Sequence, residues 1–425
     1  MMESWVEYKL NNIGSFKNGA NFSSDKMGRG KALVNVKDIT DSPLLHPERM
    51  DLVDFDISSK SGAAYLAKEG DIFFVRSSVK RDGVGAVGML KNNETPVIHC
   101  GFVIRFRLES NQILPRFAFY LFNTSFNREK VRNISGGATI VNISQGSLKM
   151  LKFKFPPLHT QRKIANILSA YDDLIENNLK RIKLLEEKAQ LTYEEWFMRM
   201  KFPGYETTTI NKETGLPEGW KKEKFDKNFT LSNGYAFKSS DYQTSGVKIL
   251  RTKDYSQTKW VNIDQPIFLS NEKADKYQKY YVRPYDLMLI MVGASIGNYG
   301  IILPRDTGIL QNQNQWAIRA KNEHLNFFKI LMMEDLIQKL LGKKTGAARD
   351  FFRASFLKEI ELNMPSELTL IQFNNNIKPL YESINNLFIQ IDNLKEGRDI
   401  LLPRLMTGMI DVEQMNLETL QPTKA

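Results

Sequence analysis

Gln311-Asn312-Gln313-Asn314 places four side-chain amides in a row, each with a donor and an acceptor on one planar group. That pairing matches the edge of adenine in a DNA major groove. An arginine fork matches guanine in the same way, while lysines and backbone amides hold phosphates. Similar residues lie around this loop: Lys238, Arg251 with Lys253, Ser295, and the run Lys343-Lys344 to Arg349. The first half of the chain carries its own set: Lys17-Asn18 with Asn21, Lys37, Arg76-Ser77-Ser78 with Lys80-Arg81, and 136–139 ending in Thr139. Any one of these read alone is an ordinary solvated loop. Two sets at corresponding places make an expectation of contact with double-stranded DNA.

Other chemistry finds little support. Gly83-Val-Gly-Ala-Val-Gly88 fits the spacing of a dinucleotide-binding turn, but it lies between strand-like runs and opens no helix, so it reads as a hairpin or tight loop. The four histidines, His46, His99, His159 and His324, are scattered. Adjacent His99-Cys100 suits a buried strand pair better than two ligands of one ion. Glu186-Glu187-Lys188 resembles a nuclease acid pair only in composition and reads as a solvated helix face. No nucleophile motif is present, and neither is the Pro-Pro-aromatic signature of an amino-methyltransferase. We therefore expect no catalytic residue, metal or cofactor in this chain.

The chain has 425 residues, enough for two or more domains, and a net charge of +11 that favours an anionic partner. The single cysteine, Cys100, fits a reducing, cytoplasmic setting. No apolar run is long enough to span a membrane, and the first residues do not form a signal peptide.

The loops need elements to hold them, and the elements occur twice. Residues 1–155 read as a mixed α/β domain, with strands at Ala32–Val36, Asp71–Val75, Val84–Leu90, Phe102–Leu108 and Lys149–Phe155 and a helix over Arg116–Phe126. Residues 202–219, rich in Gly, Pro and Thr, read as a linker. Then the pattern restarts: Asn18-Gly-Ala-Asn-Phe22 returns as Asn233-Gly-Tyr-Ala-Phe237, Lys37-Asp38 as Lys253-Asp254, and Gly137-Ala138 as Gly346-Ala347. Gly70 and Pro156 likewise correspond to Tyr285 and Pro365, at offsets of 209 to 216 throughout.

Each domain is followed by a long helical stretch. Within 156–201, Ile164, Leu168, Tyr171, Ile175, Ile182, Leu185, Ala189 and Trp196 follow a 3.5-residue period, with Asn178 and Thr192 in the two polar seam positions. Within 366–412 the seam reads Leu370, Phe373, Ile377, Leu380, Ile384, Leu387, Ile391, Leu394, Arg398, Leu401, Leu405. Pro379 is expected to kink the early turns, and Gly397 and Pro403 to fray the far end. Arg398 and Gly397 interrupt the heptad and suggest a partner contact there. A helix of about 40 residues spans roughly 60 Å. The order of elements makes the two helices an antiparallel coiled coil with one α/β domain at each end and pseudo-two-fold symmetry. Residues 220–365 form the second domain and 413–425 a flexible tail.

The block PPLHTQRKIANILSAYDDLIENNLKRIKLLEEKAQLTYEEWF, the linker GLPEGW at Gly215–Trp220 and the tail ILLPRLMTGMIDV at Ile400–Val412 resemble the specificity (S) subunit of type I restriction–modification systems. The resemblance covers essentially the whole chain. It implies two target recognition domains, each docking loops on half of a split DNA site, and two spacer helices that set the gap. A 60 Å spacer caps that gap at about 17 base pairs. It also implies two methyltransferase subunits that bring S-adenosylmethionine and flip an adenine from the stack, and restriction subunits that bring ATP and Mg. Two other classes compete. A nuclease or methyltransferase with its own recognition domains needs a cofactor motif that is not found. A structural coiled-coil scaffold leaves the amide-rich loops unexplained.

Overall fold

The computed structural model of the chain describes residues 5–78, 83–92, 94–135, 141–255, 259–263, 265–293, 295–333, 336–337 and 353–414. They form two compact units, one from residues up to Ile175 and from Asn393 onward, the other from Glu176–Asp392. Each unit therefore holds one α/β domain and a segment of both long helices.

In the first unit the central sheet runs in the order Gly14–Asn18, Val103–Leu108, Ile72–Val75, Val87–Leu90, Leu44–Leu45. The middle strand, IFFV, is apolar throughout because both of its faces are covered. Ile72 and Phe74 enter a core shared with the helix Pro115–Asn123 and with Ile164 and Leu168 of the long helix. Phe73 and Val75, on the alternate positions, enter a second core beneath a smaller sheet of Asp51–Val53, Met27–Val34 and Val97–His99. The second unit repeats the scheme with Phe229–Asn233, Gln315–Ala320, Leu287–Ile290 and Tyr299–Ile301, and a smaller sheet of Phe268–Leu269, Val247–Leu250 and Leu310–Gln311.

The duplication extends to individual bonds. Asp71 accepts the guanidinium of Arg107 at 2.6 and 2.7 Å, and Arg107 also donates to the Leu66 carbonyl. Asp286 takes Arg319 at 2.8 to 3.0 Å, and Arg319 donates to the Tyr281 carbonyl. Asp38 caps a turn through the Asn35 amide at 2.7 Å, as Asp254 does through the Arg251 amide at 2.8 Å. In both units the first strand pairs antiparallel with the last one before the long helix: Val6–Lys9 with Lys152–Phe155, and Lys221–Lys224 with Glu361–Met364.

Several boundaries differ from those read in the sequence. The strand Met27–Val34 stops where Asn35 caps a short helix, Val36–Asp41. Lys149-Met150 ends a helix, Gln145–Met150, and only Lys152–Phe155 is strand. The helix expected at Arg116–Phe126 breaks at Thr124, whose hydroxyl caps a second one, Ser125–Asn133. In the linker, Phe202 and Leu216 are buried, and the Phe202 ring lies 5.4 Å from Trp220.

The long helices run over Leu158–Tyr193 and Glu367–Met406, antiparallel within each unit. In the first unit Arg398 pairs with buried Asp172 at 2.7 Å, and Tyr120 donates to the other oxygen of that carboxylate at 2.5 Å. Arg398 is thus a seam residue bonded across to the first helix. Gly397 is a point of close approach, where an added Cβ would lie 3.2 Å from the Tyr171 ring. The helix continues through both Pro379 and Pro403; Pro379 is exposed, where its missing N–H and ring meet solvent. Glu413, placed in the tail by sequence, bonds Lys163 at 2.9 Å and Thr160 at 2.8 Å.

In the second unit the polar seam residue Asn178 donates to Gln390 at 3.2 Å. A π-helical turn over Glu194–Met198 adds one residue to the seam. It turns Phe197 inward onto Phe373, ring to ring at 4.6 Å, alongside the expected Trp196. The other seam residues are buried, except that Tyr171, Leu185, Thr192, Leu380, Leu394 and Leu401 are half-buried.

Glu186 departs from its expected solvated face. It lines a small cavity of about 30 Å³ with Gln190, Lys259, Tyr299 and Tyr381. Burial pushes its carboxyl up to about 7 from an ordinary 4.5, against the opposing pull of Lys259 and the Trp260 indole. A folded-state value above the free one means that the neutral acid fits the fold. Its contribution is complete below about 4.5 and is lost as pH rises through about 7. Glu186→Gln keeps the shape of the side chain without the charge. It should therefore stabilise the second unit at pH 8, by roughly 1–2 kcal/mol after allowing for partial exposure, and change little at pH 4.5. Melting curves at the two pH values test this; equal shifts at both would refute the buried-acid account.

Candidate nucleic-acid interface

Both domains build the same crossing at one end of the central sheet. In the first, Ala20 N–H donates to the His99 carbonyl at 3.0 Å, and Gly19 N–H to Val103 at 3.1 Å. A Cβ on Gly19 would lie 2.0 Å from the Cys100 oxygen, so the two backbones touch. In the second, Tyr235 N–H donates to Gln311 at 3.1 Å, and a Cβ on Gly234 would lie 1.9 Å from the Asn312 oxygen. Glycine is required at both crossings because any side chain would overlap the opposing chain. The loops that leave these crossings are thereby collected.

Around the first crossing lie Lys17, Asn18, Asn21, Arg76, Ser77 and Ser78. Lys17 stands over the Tyr65 ring at 4.4 Å. Asn21 is exposed and packs against Gly101, whose missing side chain makes room for its amide oxygen. Arg76 is half-buried, and its backbone N–H donates to Phe102 at 2.7 Å. The strand Ser77–Ser78 pairs with Val141–Asn142, and the Ser77 hydroxyl donates to the Asn142 amide oxygen. Lys37, on the short helix Val36–Asp41, is paired with Asp51 at 2.7 Å; that carboxylate holds the ammonium above its usual range.

Around the second crossing the amide run divides. Gln311 is buried, and its amide donates to the Ser232 and Gln315 carbonyls at 3.1 and 2.9 Å. The Asn312 oxygen caps the Gln313 N–H at 2.9 Å, and Asn314 is exposed with a left-handed φ of 70°. Arg251 is also committed, through its guanidinium to Asp254 at 3.2 Å and to the Gln265 carbonyl. Lys238, Lys253 and Ser295 are exposed. Lys80, Arg81, Thr139, Lys343, Lys344 and Arg349 lie outside the described residues, as do both Gly-Ala pairs of the repeat. Sequence reasoning missed Asn142 and Phe102, since only pairing and exposure reveal them.

His99 is buried, and its Nε2 contacts the Lys17 carbonyl at 3.1 Å. Burial pushes its imidazole down to about 4, so the ring is neutral at physiological pH. Cys100 is buried beside it, its thiol pushed up by burial. Among the described residues no group of three or more His, Cys, Asp or Glu is placed to hold a metal ion. No helix among them is long and apolar enough to cross a membrane.

Two copies of one framework, alike in their backbone crossing and unlike in the side chains they expose, define a duplicated recognition protein. The family model described as the type I restriction modification DNA specificity domain matches residues 2–187 and 217–369, and the chain belongs to that family. It is 23% identical over 419 residues to the type I restriction enzyme MjaIX specificity subunit of Methanocaldococcus jannaschii, covering 97% of this chain and 95% of that protein. It is 28% identical over 200 residues to the HindI specificity subunit of Haemophilus influenzae, covering 46% of this chain and 41% of the other. The crystal structure of the S subunit of a type I restriction–modification system from M. genitalium shares the fold, with a TM-score of 0.53 at 15% identity over 94% of this chain and 96% of that one.

Gln311 separates a structural amide from a base reader. Gln311→Ala would remove the side-chain donor from a buried and a half-buried carbonyl, at a cost of roughly 1–3 kcal/mol to the second unit. Denaturant unfolding should register that loss. A variant of unchanged stability that binds DNA more weakly would place Gln311 in the interface instead.

Proposed function

We propose that this chain is the sequence-reading subunit of a type I restriction–modification complex. Each recognition domain, 1–155 and 220–365, reads one half of a split site on double-stranded DNA. The helical segments 156–201 and 366–412 set the gap, with 202–219 as the linker and 413–425 as the tail. The observation that carries this reading is the repeated crossing at Gly19 and Gly234, which presents a different polar loop set on the same scaffold in each domain. As in its family, the chain is the non-catalytic member and catalysis lies in the partner subunits.

In the first domain the half-site is read by Asn18, Asn21, Arg76, Ser77 and Ser78 with Lys80, Arg81 and Thr139, while Lys17 and Lys37 supply positive charge for phosphates. In the second it is read by Asn312, Gln313, Asn314 and Ser295 with Lys238, Lys253, Lys343, Lys344 and Arg349. Buried Gln311 and ion-paired Arg251 hold those loops in place. Two methyltransferase subunits supply S-adenosylmethionine and flip the target adenine from the stack. Restriction subunits supply ATP- and Mg-dependent chemistry, and the complex works in the cytoplasm.

The test is a map of methylated adenines in DNA after co-expression with the neighbouring methyltransferase subunit. A split motif with a fixed gap of no more than about 17 base pairs is expected. Binding of the purified complex should also weaken steeply with salt as phosphate counterions are released. A continuous motif, or an expressed pair that methylates nothing, would sink the proposal. Methylation or cleavage by this chain alone would favour the enzyme reading.

A further inference from the structure

The two crossings fix one equivalent residue each at the tip of the turn. In the first domain it is Phe102. Its carbonyl accepts the Arg76 N–H at 2.7 Å, and the next residue, Val103, is fully buried and paired with Val75. In the second domain it is Asn314. Its carbonyl accepts the Met291 N–H at 3.1 Å, and the next residue, Gln315, is fully buried and paired with Ile290. Each tip is therefore anchored by one equivalent backbone bond and by an equivalent strand pair just after it.

The side chains differ, and among the described residues neither has a hydrogen-bond partner or ring contact. Phe102 is 58% exposed, on a turn where Gly101 leaves room for the Asn21 amide and where Arg76 and Ser77 follow from the adjacent strand. A ring left in water on a rigid turn adds little to the fold. Asn314 holds a left-handed backbone, which asparagine tolerates, and offers its amide to solvent. An exposed side chain on a backbone anchored in this way is suited to set specificity.

We propose that Phe102 and Asn314 are matched base readers, and that Phe102 recognises a thymine through its C5-methyl group in the major groove. This assignment rests on the DNA-reading function proposed above. The chemistry follows from the side chain: phenylalanine has no hydrogen bond to offer, and the thymine methyl is the one apolar group that a base pair presents in that groove. Asn314, at the equivalent place, can bridge the adenine edge.

The test uses the complex with its methyltransferase subunits, after the methylated motif has been mapped. Duplexes are made in which each thymine of the first domain's half-site is replaced in turn by deoxyuridine, which removes only the methyl. One replacement should weaken binding by about fourfold, the loss from one buried methyl, and none elsewhere in that half-site should do so. Because this arm uses the unaltered chain, it does not depend on a variant folding. Phe102→Ala should abolish the thymine–uracil difference at that position and relax the motif there, with the other half-site unchanged. Phe102→Leu should retain the difference. Uniform indifference to uracil in the unaltered complex overturns the assignment, as does an Ala variant that still discriminates. Failure of the broader reading looks different, because then no split motif is found at all.

Discussion

The close crossing of backbones at Gly19 and Gly234 is the constraint on which each recognition domain depends. With carbonyl oxygens 2.0 and 1.9 Å from where a Cβ would stand, neither site accepts a side chain without moving the strand that follows. The crossing ties the end of the first strand of the central sheet to the turn before the strand beside it. It also fixes the direction in which Asn21, Arg76 and Phe102 leave one domain and Asn312 to Asn314 leave the other. Outside the crossing glycines and the left-handed Asn314, side chains of these loops can vary with little cost to the fold, because the backbone bonds go to main-chain carbonyls and amides.

Below the crossing, each sheet is secured by a buried ion pair with matched geometry, Asp71 with Arg107 and Asp286 with Arg319. Each carboxylate also accepts a backbone N–H, from Lys68 and from Arg283. Arginine suits this role because its fork reaches the carboxylate and a loop carbonyl together. Removing either partner of such a pair would strand the other charge, a loss of about 3–5 kcal/mol. These pairs are basic residues of the strands that contribute nothing to the DNA-facing charge. A net charge of +11 is therefore no count of phosphate contacts.

How much of this was legible follows from which signals are local. The helix seam was readable because Ile164, Leu168, Ile175 and Ile182, and Ile377, Ile384, Leu387 and Ile391, obey a period set within the helix itself, and all are buried. The repeat was readable because Asn-Gly and Lys-Asp recur where backbone geometry demands them. What failed depended on partners distant in the chain. Arg398 looked like an interruption until Asp172 and Tyr120 completed it. Glu186 looked solvated until Lys259, Trp260 and Tyr381 closed over it. The π-turn at Glu194–Met198 responds to packing of Phe197 against Phe373 and Trp220, which no heptad count contains.

The amide run shows why composition alone misassigns a reading loop. Gln311 and Asn314 are chemically alike and three residues apart, yet one is sealed in the sheet and the other stands in water. The parallel bridge of Tyr235 with Asn312 separates them, turning the first residues of the run inward and leaving the tip outside. In the first domain the same division leaves His99 and Cys100 inside and Phe102 outside, with no amide in the run to suggest it. What the two domains share is therefore the placement of an exposed tip, and chemistry is chosen there by one side chain at a time. At Asn314 the left-handed φ of 70° narrows that choice to the residues that tolerate it, whereas no such limit applies at Phe102.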